Sequence, residues 1–138
     1  MRTFYIFKIS KEMAILLKES PHNLFKSLED IYYLDKANIN LGKDLLDQII
    51  VPIDKLKYNK LIYEKNKNND FYIKSGDIHK IINKYREENT VITVKNSHIL
   101  LKTNVLTKNI CKFLCDENLF ACDFEAKDYF WLEKLACL

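Results

Sequence analysis

Glycine and proline are scarce, with two of each in 138 residues. Two glycines cannot build a G-x-G-x-x-G turn or a Walker loop, so nucleotide chemistry of those kinds is excluded. The same scarcity argues against low complexity and against a long flexible linker. No apolar run approaches the roughly 20 residues that span a bilayer. At the N-terminus, Lys8 and Lys11 interrupt the apolar stretch before it can form a signal-peptide core. These absences predict a cytoplasmic protein with no membrane contact. Arginine is also rare, two against twenty lysines. The guanidinium fork matches phosphate and guanine edges, so a DNA reader usually carries more of it. With a net charge of only +3, the lysine excess reads as the mark of an AT-rich coding sequence.

Metal and catalytic templates are missing as well. In a reducing compartment the four cysteines are thiols. Cys111, Cys115, Cys122 and Cys137 show no C-x2-C pair, the usual unit of a zinc site. His22, His79 and His98 are isolated. Cys122 alternates with Phe120 and Phe124 on a strand, which points it into an apolar face. A buried thiol there has no electropositive neighbour to form thiolate, so a Cys122–His98 nucleophile is not expected. Asp123 reads as part of a solvated strand face and Glu125 as a turn former. Neither forms the carboxylate pair of acid–base catalysis. No enzyme, cofactor or metal is predicted.

What is present suits a packed globule. A chain of this length is most simply one domain, 1–138, burying roughly two thirds of its unfolded surface. Hydrophobic residues make up 48% and aromatics 12%.

Residues 3–9 read as a strand with Tyr5, Phe7 and Ile9 on one face and Phe4 and Ile6 on the other, hence a central strand. Ser10 can cap a short helix from Lys11 to about Glu19, with Met13, Leu16 and Leu17 at helical spacing. Ser20-Pro21 restarts a second helix that carries Leu24, Phe25, Leu28, Ile31 and Tyr32 as a stripe. Residues 34–42 read as a loop and Lys43 to Val51 as a third helix, ended by Pro52. The stretch from Ile53 to Lys74 has no clear assignment, and Lys65 to Asp70 within it reads as an exposed loop. Asp77 to Glu88 fits a helix through Ile78, Ile81, Ile82 and Tyr85. Thr90–Val94 and Ile99–Thr103 form a hairpin. Asn104 or Thr107 caps a helix through Cys115, with Leu106, Ile110, Phe113 and Leu114 inward. Two aromatic-rich strands, Leu119–Phe124 and Tyr129–Leu132, flank a tight polar turn. The fold class is α/β (α+β): a central mixed, mostly antiparallel sheet of about five strands covered by helices.

Two surfaces stand out. Lysines from Lys55 to Lys67 interleave with Tyr58 and Tyr63, a pattern able to contact phosphates and stack bases. The favoured reading is a solvated surface loop with a few core tyrosines. On the first helix, the apolar set Met13, Ile15, Leu16 and Leu17 is broader than one core-facing stripe. Ile15 lies well away from Met13 and Leu17, so one side is exposed unless its neighbours bury the helix all round. Exposed apolar helix residues mark binding surfaces, and Met suits an adaptable contact.

The two ends of the chain carry a resemblance. Arg2-Thr3-Phe4-Tyr5-Ile6-Phe7-Lys8-Ile9-Ser10-Lys11-Glu12 opens it with an aromatic strand and a short helix. Ala121, Asp123, Phe124, Lys127, Tyr129, Trp131 and Leu132 close it with strand, turn and a Tyr-x-Trp-Leu arm. In length, element order and these motifs the chain resembles the bacterial family called sporulation inhibitor of replication protein, SirA. That resemblance implies a non-enzymatic protein that binds the N-terminal domain of the replication initiator DnaA. It would cover the surface DnaA uses for its own contacts, and so hinder assembly at the origin as cells begin to sporulate. The family's contact surface carries over to Met13 and Leu17, and to Leu45 and Gln48 ahead of Pro52. The family tends to hold aromatics at the first two positions, where this chain has Met and Leu. The alternatives are a nucleic-acid-binding module using residues 55–67 and a SirA-like fold with another protein partner.

Overall fold

Arg2–Ile9 forms β1, and its two apolar faces explain why it sits inside a sheet with helices on both sides. The structure is a computed structural model and describes residues 1–34, 36–114 and 116–136. After β1 come α1 (Lys11–Leu17), α2 (Pro21–Tyr32), a 3-10 turn (Lys36–Asn38), α3 (Ile39–Asp47), β2 (Ile50–Val51) and α4 (Lys55–Asn66). Then follow β3 (Tyr72–Ser75), β4 (Ile78–Asn83), β5 (Glu88–Val94), β6 (Ile99–Thr103), α5 (Lys108–Lys112), β7 (Leu119–Asp123), β8 (Asp128–Trp131) and α6 (Leu132–Ala136).

The strands make one eight-stranded open sheet in the order β3-β4-β5-β6-β1-β7-β8, with β2 paired to β1. Every described pairing is antiparallel. The sheet is thus larger than the five strands expected, and no parallel pair is described.

The two faces of β1 anchor two cores. Phe4 and Ile6 pack with Ile92, Val94, Ile99 and Leu101, under Tyr58 and Ile62 of α4 and Ile110 of α5. Phe7 and Ile9 pack with Phe120, Cys122 and Trp131, under Ala14 of α1 and Leu24, Phe25 and Leu28 of α2. The helices α1–α3 therefore lie on one side of the sheet and α4 on the other.

Four expectations are corrected. Residues 77–88 are not helical: Ile78–Asn83 is β4, and a turn leads into β5. The isoleucines fit a helical period, but they also alternate. His79 and Ile81 are buried while Ile78, Lys80 and Ile82 are exposed. Branched side chains favour that pleated arrangement. Glu87 closes the turn with a φ of 52°.

Residues 55–66 are helical. Asp54 caps this helix, its Oδ1 accepting from the Lys57 N–H at 3.2 Å. Only Tyr58, Ile62 and Asn66 are buried, a stripe one residue wide that the surrounding lysines conceal from a periodicity reading. Asn66, expected in an exposed loop, is buried and donates from Nδ2 to the Ile62 carbonyl at 2.8 Å.

The third helix starts at Ile39 and ends at Asp47, four residues earlier than expected, which frees Ile50 and Val51 to pair with Ile9 and Lys8. Gly42 is buried in this helix, and a Cβ there would lie 3.2 Å from Leu34 Cδ1, a tight contact that the leucine side chain would have to ease by a few tenths of an ångström.

Leu132 begins α6 rather than ending β8. Cys115 and Cys137 lie outside the described residues.

Candidate protein-binding surface

The α1 cap forms as the sequence suggests: Ser10 Oγ accepts from the Met13 N–H at 3.3 Å. The Ser10 N–H in turn donates to the Ile49 carbonyl at 2.9 Å. This bond ties the start of α1 to the residue that follows Gln48. Met13 and Leu17 lie on α1, Leu45 lies on α3, and Gln48 caps the C-terminal end of α3.

The four positions are not equally accessible. Met13 and Leu17 are half-buried, packed against the second core beside Leu46. Leu45 and Gln48 are exposed. They line a groove of about 280 Å³ between α2 and α3, with Ser27, Asp30, Ile31, Leu34 and Ile49. The groove joins an apolar floor to one carboxylate at its rim. Periodicity alone missed the α2 residues, because a helix pattern does not say which neighbour leaves a gap.

The broad apolar set of α1 resolves into two sides. Ala14 is the buried residue. Leu16, expected inward, is 72% exposed, and Ile15 is 82% exposed. At 100° per residue, Leu16 lies next to Met13, so it extends the same patch. Ile15 faces the opposite flank, where it lines an open depression with Lys11 and Lys18.

The remaining candidates are structural. Cys122 is fully buried, and burial, helped by the nearby Glu29 carboxylate, pushes its thiol well above the usual range. Asp123 is not a solvated face residue. It is buried, accepts from Arg2 Nε at 3.0 Å and from the Ala126 N–H at 3.1 Å. Its role is to tie β1 to the β7–β8 turn. Glu125 is exposed in that turn, as expected. His79 is fully buried; its Nδ1 lies 2.6 Å from Tyr72 Oη and its Nε2 2.7 Å from Asn59 Oδ1. Burial lowers its pKa to about 4, so it is neutral at physiological pH. Burial does the same to His98, whose ring lies against Tyr5 and Phe7.

The lysine-rich stretch is partly neutralised. Lys55 pairs with Asp77 at 2.7 Å, Lys57 with Asp116 at 3.0 Å and Lys67 with Glu64 at 2.9 Å. Tyr58 is buried and its hydroxyl donates to Asp116 Oδ2 at 2.6 Å. Partial burial opposes ionisation of Asp116, but hydrogen bonds from Tyr58 and Lys57 prevail and hold its carboxyl below the usual range. A face that commits three of its five lysines to ion pairs offers little to a phosphate backbone. Among the described residues no cluster of three His, Cys, Asp or Glu could hold a metal ion. No described helix is long and apolar enough to cross a membrane.

The family model described as "Sporulation inhibitor of replication protein SirA" matches residues 2–136. The chain belongs to the SirA family. The match runs through nearly the whole chain, so the middle segments that the sequence left loose lie within the SirA match along with the two ends. No curated protein matches the chain.

Proposed function

We propose that this chain restrains initiation of DNA replication, without catalysis, by binding the N-terminal domain of DnaA as cells begin to sporulate. Membership of the SirA family supports the regulatory role. The observation that supports this surface is the Ser10–Ile49 backbone bond, which ties the start of α1 to the residue that follows Gln48.

The mechanism is occupancy. Met13 and Leu17 form the half-buried floor of the contact, Leu16 its exposed edge, and Leu45 and Gln48 the adjoining wall. A rigid helical face of this kind needs little ordering on association, which limits the entropy cost of binding. Bound there, the protein denies DnaA its own contacts and so hinders assembly at the origin. Without the aromatic anchors that usually dominate an interface, affinity rests on aliphatic burial. Each fully buried leucine contributes about 1.5–3 kcal/mol.

The test is assembly of purified DnaA on origin DNA with increasing amounts of this protein. Assembly is expected to fall in proportion to occupancy, and a Leu45→Asp variant is expected to inhibit poorly. Unimpeded assembly at saturating protein would contradict the proposal. DNA binding by this protein alone, steeply weakened by salt, would favour a nucleic-acid module instead.

A further inference from the structure

The helix layer over the second core is incomplete. Helices α1–α3 pack on Phe7, Ile9, Phe120, Cys122 and Trp131, which belong to β1, β7 and β8. On that same side, β3 to β6 carry no described helix. Register aligns one uncovered row as Ile73, Lys80, Val91 and Lys102. A second row runs Ile78, Thr93 and Leu100, and ends at Tyr5 beneath Tyr32 of α2. The reverse side of these strands is buried, with His79, Ile81, Ile92 and Leu101 in the core.

The uncovered rows are apolar for a surface. Ile73 is 63% exposed, and Ile78 and Ile82 are exposed too. Lys80 and Lys102 stand among them, and no ion pair is described for either. The face positions of β3–β6 hold no Asp or Glu. The acidic exceptions are at the border, where Glu125 and Asp123, the latter paired with Arg2, line a depression of about 190 Å³ beside Tyr32, Leu100 and Lys102.

We propose that this open half-sheet docks an acidic amphipathic helix of a partner protein, which completes the layer begun by α2. Shape favours a helix. The C-terminal end of α2 sits over β1, with Tyr32 and Tyr5 ring centroids 5.3 Å apart. A helix layer stands about 10 Å high, so α2 forms a wall along one side of the face. A planar bilayer meets that wall before it reaches the rows, whereas a helix lies alongside it. Charge favours an acidic occupant, because two lysines stand in an aliphatic field. A second copy of this chain would bring those lysines against like charges. Nucleic acid would find Tyr5 half-buried and Tyr32 already stacked on Phe124, rather than the open stacking platform it needs. This surface lies on different elements from the α1–α3 patch and does not depend on it.

The test is amide chemical-shift mapping of the full chain with a synthetic helical peptide. The probe has about 18 residues, enough for helicity in water, with Leu at i, i+3, i+4 and i+7 and Glu on the other face. Shifts are expected on residues 73–102. The double variant Lys80→Glu/Lys102→Glu, both positions being exposed, is expected to fold. It should bind this peptide about tenfold more weakly and prefer the counterpart with Lys in place of Glu. Absence of shifts on this face, or shifts unaffected by the double variant, would overturn the proposal. So would wild-type binding to phosphatidylglycerol vesicles through the same residues, which would assign the face to lipid.

Discussion

Ala14 and Ile15 are neighbours in the chain with opposite surroundings: Ala14 is 4% exposed and Ile15 is 82% exposed. One residue of rotation on α1 therefore separates the core from solvent. Substitutions on this helix divide accordingly. Ala14→Asp buries a carboxylate in an apolar site and is expected to cost at least about 3 kcal/mol. Leu16→Asp is expected to stay within about 0.5 kcal/mol of the parent. Urea unfolding of the two variants checks this, and equal losses would contradict the placement of the helix.

Two histidines, His79 buried and His98 half-buried, set a pH dependence. The folded pKa values of His79 and His98 lie near 4, below the unfolded value near 6.5. The unfolded chain then binds more protons between these values, so stability falls as pH drops from 6.5 towards 4. Each group contributes up to about 1.4 kcal/mol per pH unit in that window. Urea midpoints at pH 7 and pH 5 measure the slope. His79→Gln is expected to flatten it, and a slope unchanged by that variant would contradict the assignment.

Cys122 is expected to resist alkylation in the folded protein, because burial both hides the sulfur and raises its pKa. Mass spectrometry of the peptide containing Cys122 after iodoacetamide treatment reads this directly. Full labelling before denaturant is added would contradict the buried placement.

Trp131 closes the second core. It is buried, with the Phe120 ring 4.9 Å away edge to face and Lys18 Nζ 4.2 Å from its ring centroid. Lys18 also pairs with Glu133, which fixes α1 against α6. Trp131→Ala is expected to cost about 3–5 kcal/mol. The native emission should be blue-shifted, and water-like emission would contradict its burial.

Sequence pattern revealed those elements whose period was unambiguous. The two-sided apolar face of β1, the caps at Ser10 and Thr107, and the β5–β6 and β7–β8 hairpins are all readable from residue order. β4 was misread because isoleucines at 78, 81 and 82 satisfy a helical period, and the turn into β5, residues 84–87, holds no Gly or Pro to interrupt it. α4 stayed hidden because its buried stripe is only Tyr58, Ile62 and Asn66. Asp123 looked solvated because its partner, Arg2, lies 121 residues away. Of the proposed binding surface, the broad apolar set of α1 was readable from residue order, whereas Leu45 and Gln48 came from resemblance alone, and no local pattern encodes the backbone bond between Ser10 and Ile49.

Binding of the N-terminal domain of DnaA by the α1–α3 face, as proposed above, can be measured directly. The most direct measurement is a titration of the full chain against that isolated domain from the same organism, with Leu45→Asp and Leu17→Asp in parallel. Saturable 1:1 binding is expected. Leu45→Asp, with its circular dichroism confirmed native, should weaken it by about tenfold or more. Leu17→Asp should do the same where its circular dichroism remains native. Absence of binding at high micromolar concentration, or binding unaffected by a folded Leu45→Asp variant, would contradict the account.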